Sequence, residues 1–144
     1  MASRQNAELI RRLYERAFNG RDLTFVHEVH GPGYLYHDTT APDSPESHDS
    51  YMARTTAFMA AFPDARVSVE DAFGCDDRGT GRTVMRGTHT AALGELPPTG
   101  RRVQLASTII YRFADSRVVE EWEIFDKLGM YQQLGIPLPE SDVW

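Results

Sequence analysis

The sequence predicts an α+β fold in which helices pack on a strongly bent, mostly antiparallel sheet. Three observations carry this expectation. Apolar residues recur at the helical period through the first part of the chain, the period falls to two from Ala65 onward, and the later segments are joined by turn-like links that suit antiparallel neighbours. Helices grouped ahead of strands, rather than alternating with them, argue against a βαβ plan.

Leu9, Ile10, Leu13, Tyr14, Ala17 and Phe18 make the apolar stripe of a first helix, with Ser3 or Asn6 available as its cap and Gly20 just past its end. A short second helix over 22–29 opens at Asp22 and packs Leu23 and Val26 beneath the first. The segment "HGPGYLYHDTTAPDSPESHD", broken by Pro32, Pro42 and Pro45, reads as an extended piece followed by a loop. A third helix over 48–62 sets Met52, Thr55 or Thr56, Met59 and Phe62 along one stripe, and Pro63 stops it because proline has no N–H for the ladder. Four strands follow, one through "ARVSVEDAF" and then 83–90, 103–113 and 118–125. "GELPPTGRR" and "ADSRV" connect them, the second short enough for a hairpin. A last helix over 127–134 ends at Gly135, leaving a tail whose Trp144 packs on this chain or on a partner.

The 144 residues are 41% hydrophobic, which is enough for one compact domain over 1–144 without disulfide or metal staples. Fifteen basic against 21 acidic side chains give a net charge of −6, and no basic block occurs, so nucleic acid is not an expected partner. Arg11, Arg12 and Arg16 fit the solvated face of the first helix. Cys75 is the single cysteine and can form no internal bridge; Asp76 and Asp77 beside it oppose a thiolate. With no apolar stretch of membrane-spanning or signal-peptide type, no membrane association and a cytoplasmic location are expected.

Candidate chemistry comes from strand arithmetic. Side chains two apart share a face, so Trp122, Ile124 and Asp126 align, while Glu121, Glu123 and Phe125 point the other way. The indole face is expected to be dry and the glutamate face wet. Asp126 at the rim of a dry face would lose water and gain a raised pKa suited to proton transfer; alternatively, it caps the final helix. In "MRGTHT", Arg86 and Thr88 share one face, where they could hold an anionic oxygen, and His89 lies on the other, where it could exchange a proton. On 103–113 both faces carry apolar surface, one to be covered by helices or a cavity and the other by a second copy, so a homodimer is expected. "GTGR" lacks the setting of a phosphate loop, the histidines form no His-Glu-x-x-His, and no Gly-x-Ser-x-Gly elbow is present. His27 with His30 would need partners that the sequence does not identify. What remains is side-chain acid–base chemistry around an apolar cavity.

"AFMAAFPDARVSVEDAF", "RGTHTAALGELPPTGRRVQL" and "IIYRFADSRVVEEWEIFDKLGMYQQLG", in that order behind an amphipathic helix, resemble the SnoaL-like polyketide cyclase family of the nuclear-transport-factor-2-like superfamily. The resemblance covers about residues 7–135. It implies a cone-shaped α+β barrel, homodimers or homotetramers, and closure of a ring in an aromatic polyketide or similar carbonyl-rich compound by enolisation and intramolecular aldol attack, without metal or organic cofactor. It also implies that Asp126 is the general acid/base. Arg112 takes the position nearest the family's histidine; Arg86, His89 and Thr88 are auxiliary polar groups; and Trp122, Ile124, Tyr14, Tyr36, Met59 and Phe62 are wall candidates. A related limonene-epoxide-hydrolase-like branch is matched at Arg86 and Asp126, with Thr88 in place of its middle aspartate. Hydroxylase-type relatives, dehydration and a non-catalytic binding module are the alternatives on the same scaffold.

Overall fold

The structure, a computed structural model, describes residues 2–41 and 45–137; Pro42 and the Trp144 tail lie outside them. Helix α1 (Ala2–Arg12) runs on as a π-helical segment, Leu13–Asn19, and is followed by α2 (Thr24–Val29). Then come β1 (His30–Asp38), β2 (Glu46–Ser47), α3 (His48–Ala61), β3 (Arg66–Cys75), β4 (Arg78–Thr88), β5 (Arg102–Ala114), β6 (Arg117–Phe125) and α4 (Lys127–Leu134). The six strands form one mixed sheet in the order β2-β1-β6-β5-β4-β3. Every pairing is antiparallel except β1 with β6. This is the expected α+β cone, open rather than closed, with the N-terminal helices laid over the inner face of the sheet. No helix among the described residues is long and apolar enough to cross a membrane.

The apolar stripe of the first helix lies where its period puts it. Ile10, Leu13 and Ala17 are buried in one core cluster with Ile109, Tyr111 and Phe113 of β5. Close approach of α1 to the sheet depends on two glycines of β4, since a Cβ on Gly79 or Gly81 would stand 3.1 Å from Ile10. Neither expected cap operates: Ser3 and Asn6 lie inside α1, and Asn6 Nδ2 instead donates to the Asp76 carbonyl at 3.0 Å. A second cluster gathers Ala61, Phe62, Met85, Val103, Leu105, Met130 and Leu134, tying the end of α3 to α4.

The stretch read as an extended piece followed by a loop holds β1 as that piece and, near its end, the two-residue β2. Its Gly31, Pro32 and Gly33 fall in a break in the register between β1 and β6, after His30 and before Leu35. Proline and glycine thus occupy the irregular part of the strand, where no ladder hydrogen bond is required, and Gly33 takes a left-handed φ of 70°.

A second irregularity matters more. The β5–β6 hairpin turns at Asp115 and Ser116, both at positive φ, and starts with Ala114 opposite Arg117 and Phe113 opposite Val118. The next pair is Arg112 with Glu120, so Val119 is an extra residue on β6. From there on, Tyr111 faces Glu121 and Ile109 faces Glu123. A one-residue bulge moves every later side chain to the opposite face of the sheet.

Candidate active site

The inner face of the sheet, the π-helical segment and α3 enclose a chamber of about 410 Å³. That volume falls within the roughly 300–1,000 Å³ of small-molecule sites. Its walls are largely apolar and include Phe18, Phe58, Met59, Met85, Leu105 and Phe125. The wider π-helical turn brings Tyr14 and Phe18 to the chamber as a stacked pair, with centroids 5.2 Å apart.

Glu121 and Glu123 of β6 project into this apolar space. Two hydroxyls hold the Glu123 carboxylate: Tyr36 Oη donates to Oε2 at 2.6 Å and Ser107 Oγ donates to Oε1 at 2.6 Å. The side chain is deep in the protein, and what surface it exposes is that of the chamber. Burial pushes its pKa up, the Glu121 charge adds to the rise, and the Ser107 and Tyr36 hydrogen bonds and the Arg54 charge oppose it. The net direction is upward, toward the range of a useful general base.

The tyrosines around the carboxylate stay protonated. Burial, followed by the charges of Glu123 and Glu121, raises Tyr14 far above the ordinary phenol value, and burial is likewise the main cause for Tyr36 and Tyr111. Tyr14 Oη and Tyr111 Oη are 2.9 Å apart. When Tyr111 donates in that pair, the Tyr14 proton is free for an acceptor in the chamber. Arg54 lies over the Tyr36 ring at 4.4 Å and forms an ion pair with Glu46 at 3.0 Å, which supplies positive charge at the chamber wall.

The expected site residues divide sharply. Tyr14 and Met59 line the chamber, and Tyr36, fully buried, reaches it through Glu123. Asp126 does not: it is exposed, and its Oδ1 accepts the Gly129 N–H at 2.8 Å as the N-cap of α4. The expectation of a dry face bearing Trp122, Ile124 and Asp126 is therefore reversed, because the Val119 bulge turns that face outward. Ile124 is 60% exposed, and Trp122 is covered on the outer side by the stacked His37 ring at 5.2 Å.

Arg112 is also on the outer face, paired with Glu120 at 2.8 Å. Arg86 points out as well and donates to Gln104 at 3.0 Å, and Thr88 is tied by its hydroxyl to Asp64 at 2.7 Å. His89 faces inward but belongs to the second core, fully buried against Phe62 with its Nδ1 bonded to Thr99. Phe62 is core rather than chamber wall.

Glu121, Glu123, Ser107, Tyr51 and Arg54 were not anticipated. A signal was present on β5. Val103, Leu105, Ser107, Ile109, Tyr111 and Phe113 are the more apolar of its two faces, and this face is indeed turned inward. Knowing its register with β6 would have put Glu123 opposite Ile109 on the inside.

Comparison with known proteins agrees with this architecture. The model of the SnoaL-like polyketide cyclase family matches residues 8–134. The aklanonic acid methyl ester cyclase DauD of Streptomyces sp. (strain C5) is 28% identical over 144 residues, covering 95% of this chain and 86% of that protein. Among solved structures, IdmH of Streptomyces antibioticus, provisionally assigned as a polyketide cyclase, superposes with a TM-score of 0.78 at 33% identity, covering 91% of this chain and 99% of that one. AclR of Streptomyces galilaeus, provisionally assigned as a hydroxylase, has the same fold, with a TM-score of 0.85 at 23% identity, covering 94% and 99%. The chain belongs to the SnoaL-like polyketide cyclase family.

Proposed function

We propose that this protein closes a ring in a bulky, carbonyl-rich polyketide by enolisation and intramolecular aldol attack, with Glu123 as the acid/base. The observation that supports this reading most is the Glu123 carboxylate, held by two hydroxyls in an apolar chamber that raises its pKa. Its two oxygens are oriented by Tyr36 and Ser107, leaving lone pairs for a substrate proton.

In this mechanism Glu123 takes the proton from a carbon flanked by carbonyls, and the C–H electrons pass into the enolate. The enolate carbon attacks a carbonyl carbon in the same molecule. A C–C bond forms, the carbonyl π electrons go to oxygen, and the protonated Glu123 returns its proton to that alkoxide. Tyr14 donates to the enolate oxygen, a role suited to a phenol that does not ionise and whose own oxygen can accept from Tyr111. Apolar walls hold the folded substrate so that the two carbons meet.

The test uses purified protein and aklanonic acid methyl ester, the compound in the names of the cyclase relatives. Cyclisation gives a product of unchanged mass and altered retention in chromatography with mass detection. Glu123→Gln should lower kcat by about 10²–10⁴-fold while remaining folded. Full activity in that variant would overturn the assignment of Glu123. A product heavier by one oxygen would point to a hydroxylase instead.

A further inference from the structure

A row of titratable side chains leads away from the chamber, beginning at Glu121. Glu121, its inner member, is almost completely buried, as is His30 of β1, and Glu121 Oε1 lies 3.6 Å from His30 Nε2. Neither atom has a hydrogen-bond partner among the described residues. His30 Nδ1 is 3.0 Å from Nδ1 of His48, at the start of α3, and His48 Nε2 is 2.7 Å from Nδ1 of His27 on α2. His27 is exposed and, with His30 and His48, lines an open surface depression of about 460 Å³.

We infer that His27, His48 and His30 form a proton path between solvent and the chamber, with Glu121 as its inner end. The inference rests on the proposed function for the use made of that proton, and on the geometry alone for the path.

Tautomers supply the physical argument. A neutral imidazole carries one N–H and one acceptor nitrogen. One arrangement satisfies every contact at once: His27 Nδ1–H donates to His48 Nε2, His48 Nδ1–H donates to His30 Nδ1, and His30 Nε2–H points at the Glu121 carboxylate. A proton arriving at His27 Nε2 lets each ring pass on its own hydrogen, so that Glu121 gains a proton. His27 and His48 are then left with hydrogen on Nε2 and His30 on Nδ1, again all neutral. Running in reverse, the row delivers a proton to solvent. The 3.6 Å step is longer than a hydrogen bond, and it closes with a shift of about half an ångström.

The groups facing the row fit this task. Burial pushes the His48 pKa down, the nearby His30 and His27 add to the fall, and Asp49 opposes it, so His48 stays neutral near neutral pH. Tyr34 and Tyr51 keep their protons because burial raises both. His30 stacks on Tyr34 with centroids 3.6 Å apart, which fixes the plane of its ring. Stacking alone would be served by any aromatic residue, whereas this row engages both nitrogens of His48. Those two nitrogens point in different directions, so the three rings do not converge on a shared ion. The proposed ring closure returns its proton to the product and leaves Glu123 as it began, so the use of the row is to set the protonation of the carboxyl pair against solvent before substrate enters.

The test needs no substrate. The protonated-carboxyl infrared band is followed after a rapid pH jump in the wild type, with Glu121→Gln and Glu123→Gln assigning the signals. His48→Gln and the exposed His27→Gln each interrupt the row, because an amide does not exchange tautomers as an imidazole does. Both should slow relaxation of the Glu121 signal by about tenfold or more, leave its final amplitude unchanged, and recover when imidazole is added. Equal relaxation rates in wild type and both variants would overturn the path. A band insensitive to Glu121→Gln would overturn it as well, since the row would then end on a group that takes no proton. Neither result bears on Glu123 as the acid/base, which is tested by turnover.

Discussion

The two faces of β6 carry acidic groups of opposite character. On the inner face, Glu123 lines the apolar chamber, is held by Tyr36 and Ser107, and its pKa is raised. On the outer face, Glu120 is bound by His37 and Arg112, and its pKa is lowered because those two hydrogen bonds outweigh the effect of burial. The same residue type, three positions apart, is thus tuned in opposite directions. Side-chain identity does not set the chemistry here; the environment on each side of one strand does. Asp126 extends the outer face and serves structure, closing the first turn of α4.

Shifting the register of β6 past the bulge should test this contrast most severely. Insertion of an alanine between Glu120 and Glu121 would put Trp122 opposite Ile109, swinging Trp122 and Ile124 toward the chamber and both inner glutamates outward, if the pairing of Arg112 with Glu120 is kept. The misfit of large side chains and the loss of the Glu123 hydrogen bonds should cost about 3 kcal/mol or more, read by urea unfolding. An insertion tolerated within about 1 kcal/mol would mean that the register of β6 past the bulge does not decide which face is inside.

A smaller effect should appear in the pH dependence of stability. The folded-state pKa of Glu123 lies above the ordinary glutamate value of the unfolded chain. As pH rises from that ordinary value through the raised one, the unfolded chain has already given up the proton that the folded chain still holds, so stability falls across this window. Glu123→Gln has no such proton to lose. Its Tm relative to wild type should therefore rise over the same window and stay level above it, whatever offset the substitution has at low pH. A constant difference across the window would show that Glu123 titrates as an ordinary carboxyl.

The outer face should give the mildest response. Asp126→Ala should destabilise by about 1 kcal/mol through loss of the cap, and Asp126→Asn by less, with turnover of both variants within about twofold of wild type. Loss of turnover in a folded Asp126→Asn protein would return the acid/base role to that residue and undo the contrast between the faces.

Much of the fold was legible in the sequence. The stripe from Leu9 to Phe18 marks the first helix and its continuation, the α4 limits follow from a cap aspartate and a C-terminal glycine, and Gly135 takes the left-handed φ of 74° such an end uses. The alternation on β5 and β6 was also readable. β1 was readable as an extended piece, but its register was not, because its glycines and proline sit in a break that only a partner strand defines. The site was legible only in part. Tyr14, Tyr36 and Met59 follow from helix and strand positions that need no knowledge of register, whereas the inner glutamates were read as wet because acidic residues ordinarily face water.

Local periodicity, then, determined which residues share a face, which segments coil and which extend, because these follow from backbone geometry within a few residues. It could not determine which face of β6 looks inward. That choice rests on one unpaired residue, Val119, whose place is set by the hairpin and by β1 on the other side. Nor could it join His27, His30 and His48 to Glu121, since that row exists only where α2, β1, α3 and β6 meet. Side-chain alternation is a local property; the sign of the alternation and the company each side chain keeps belong to the packed sheet.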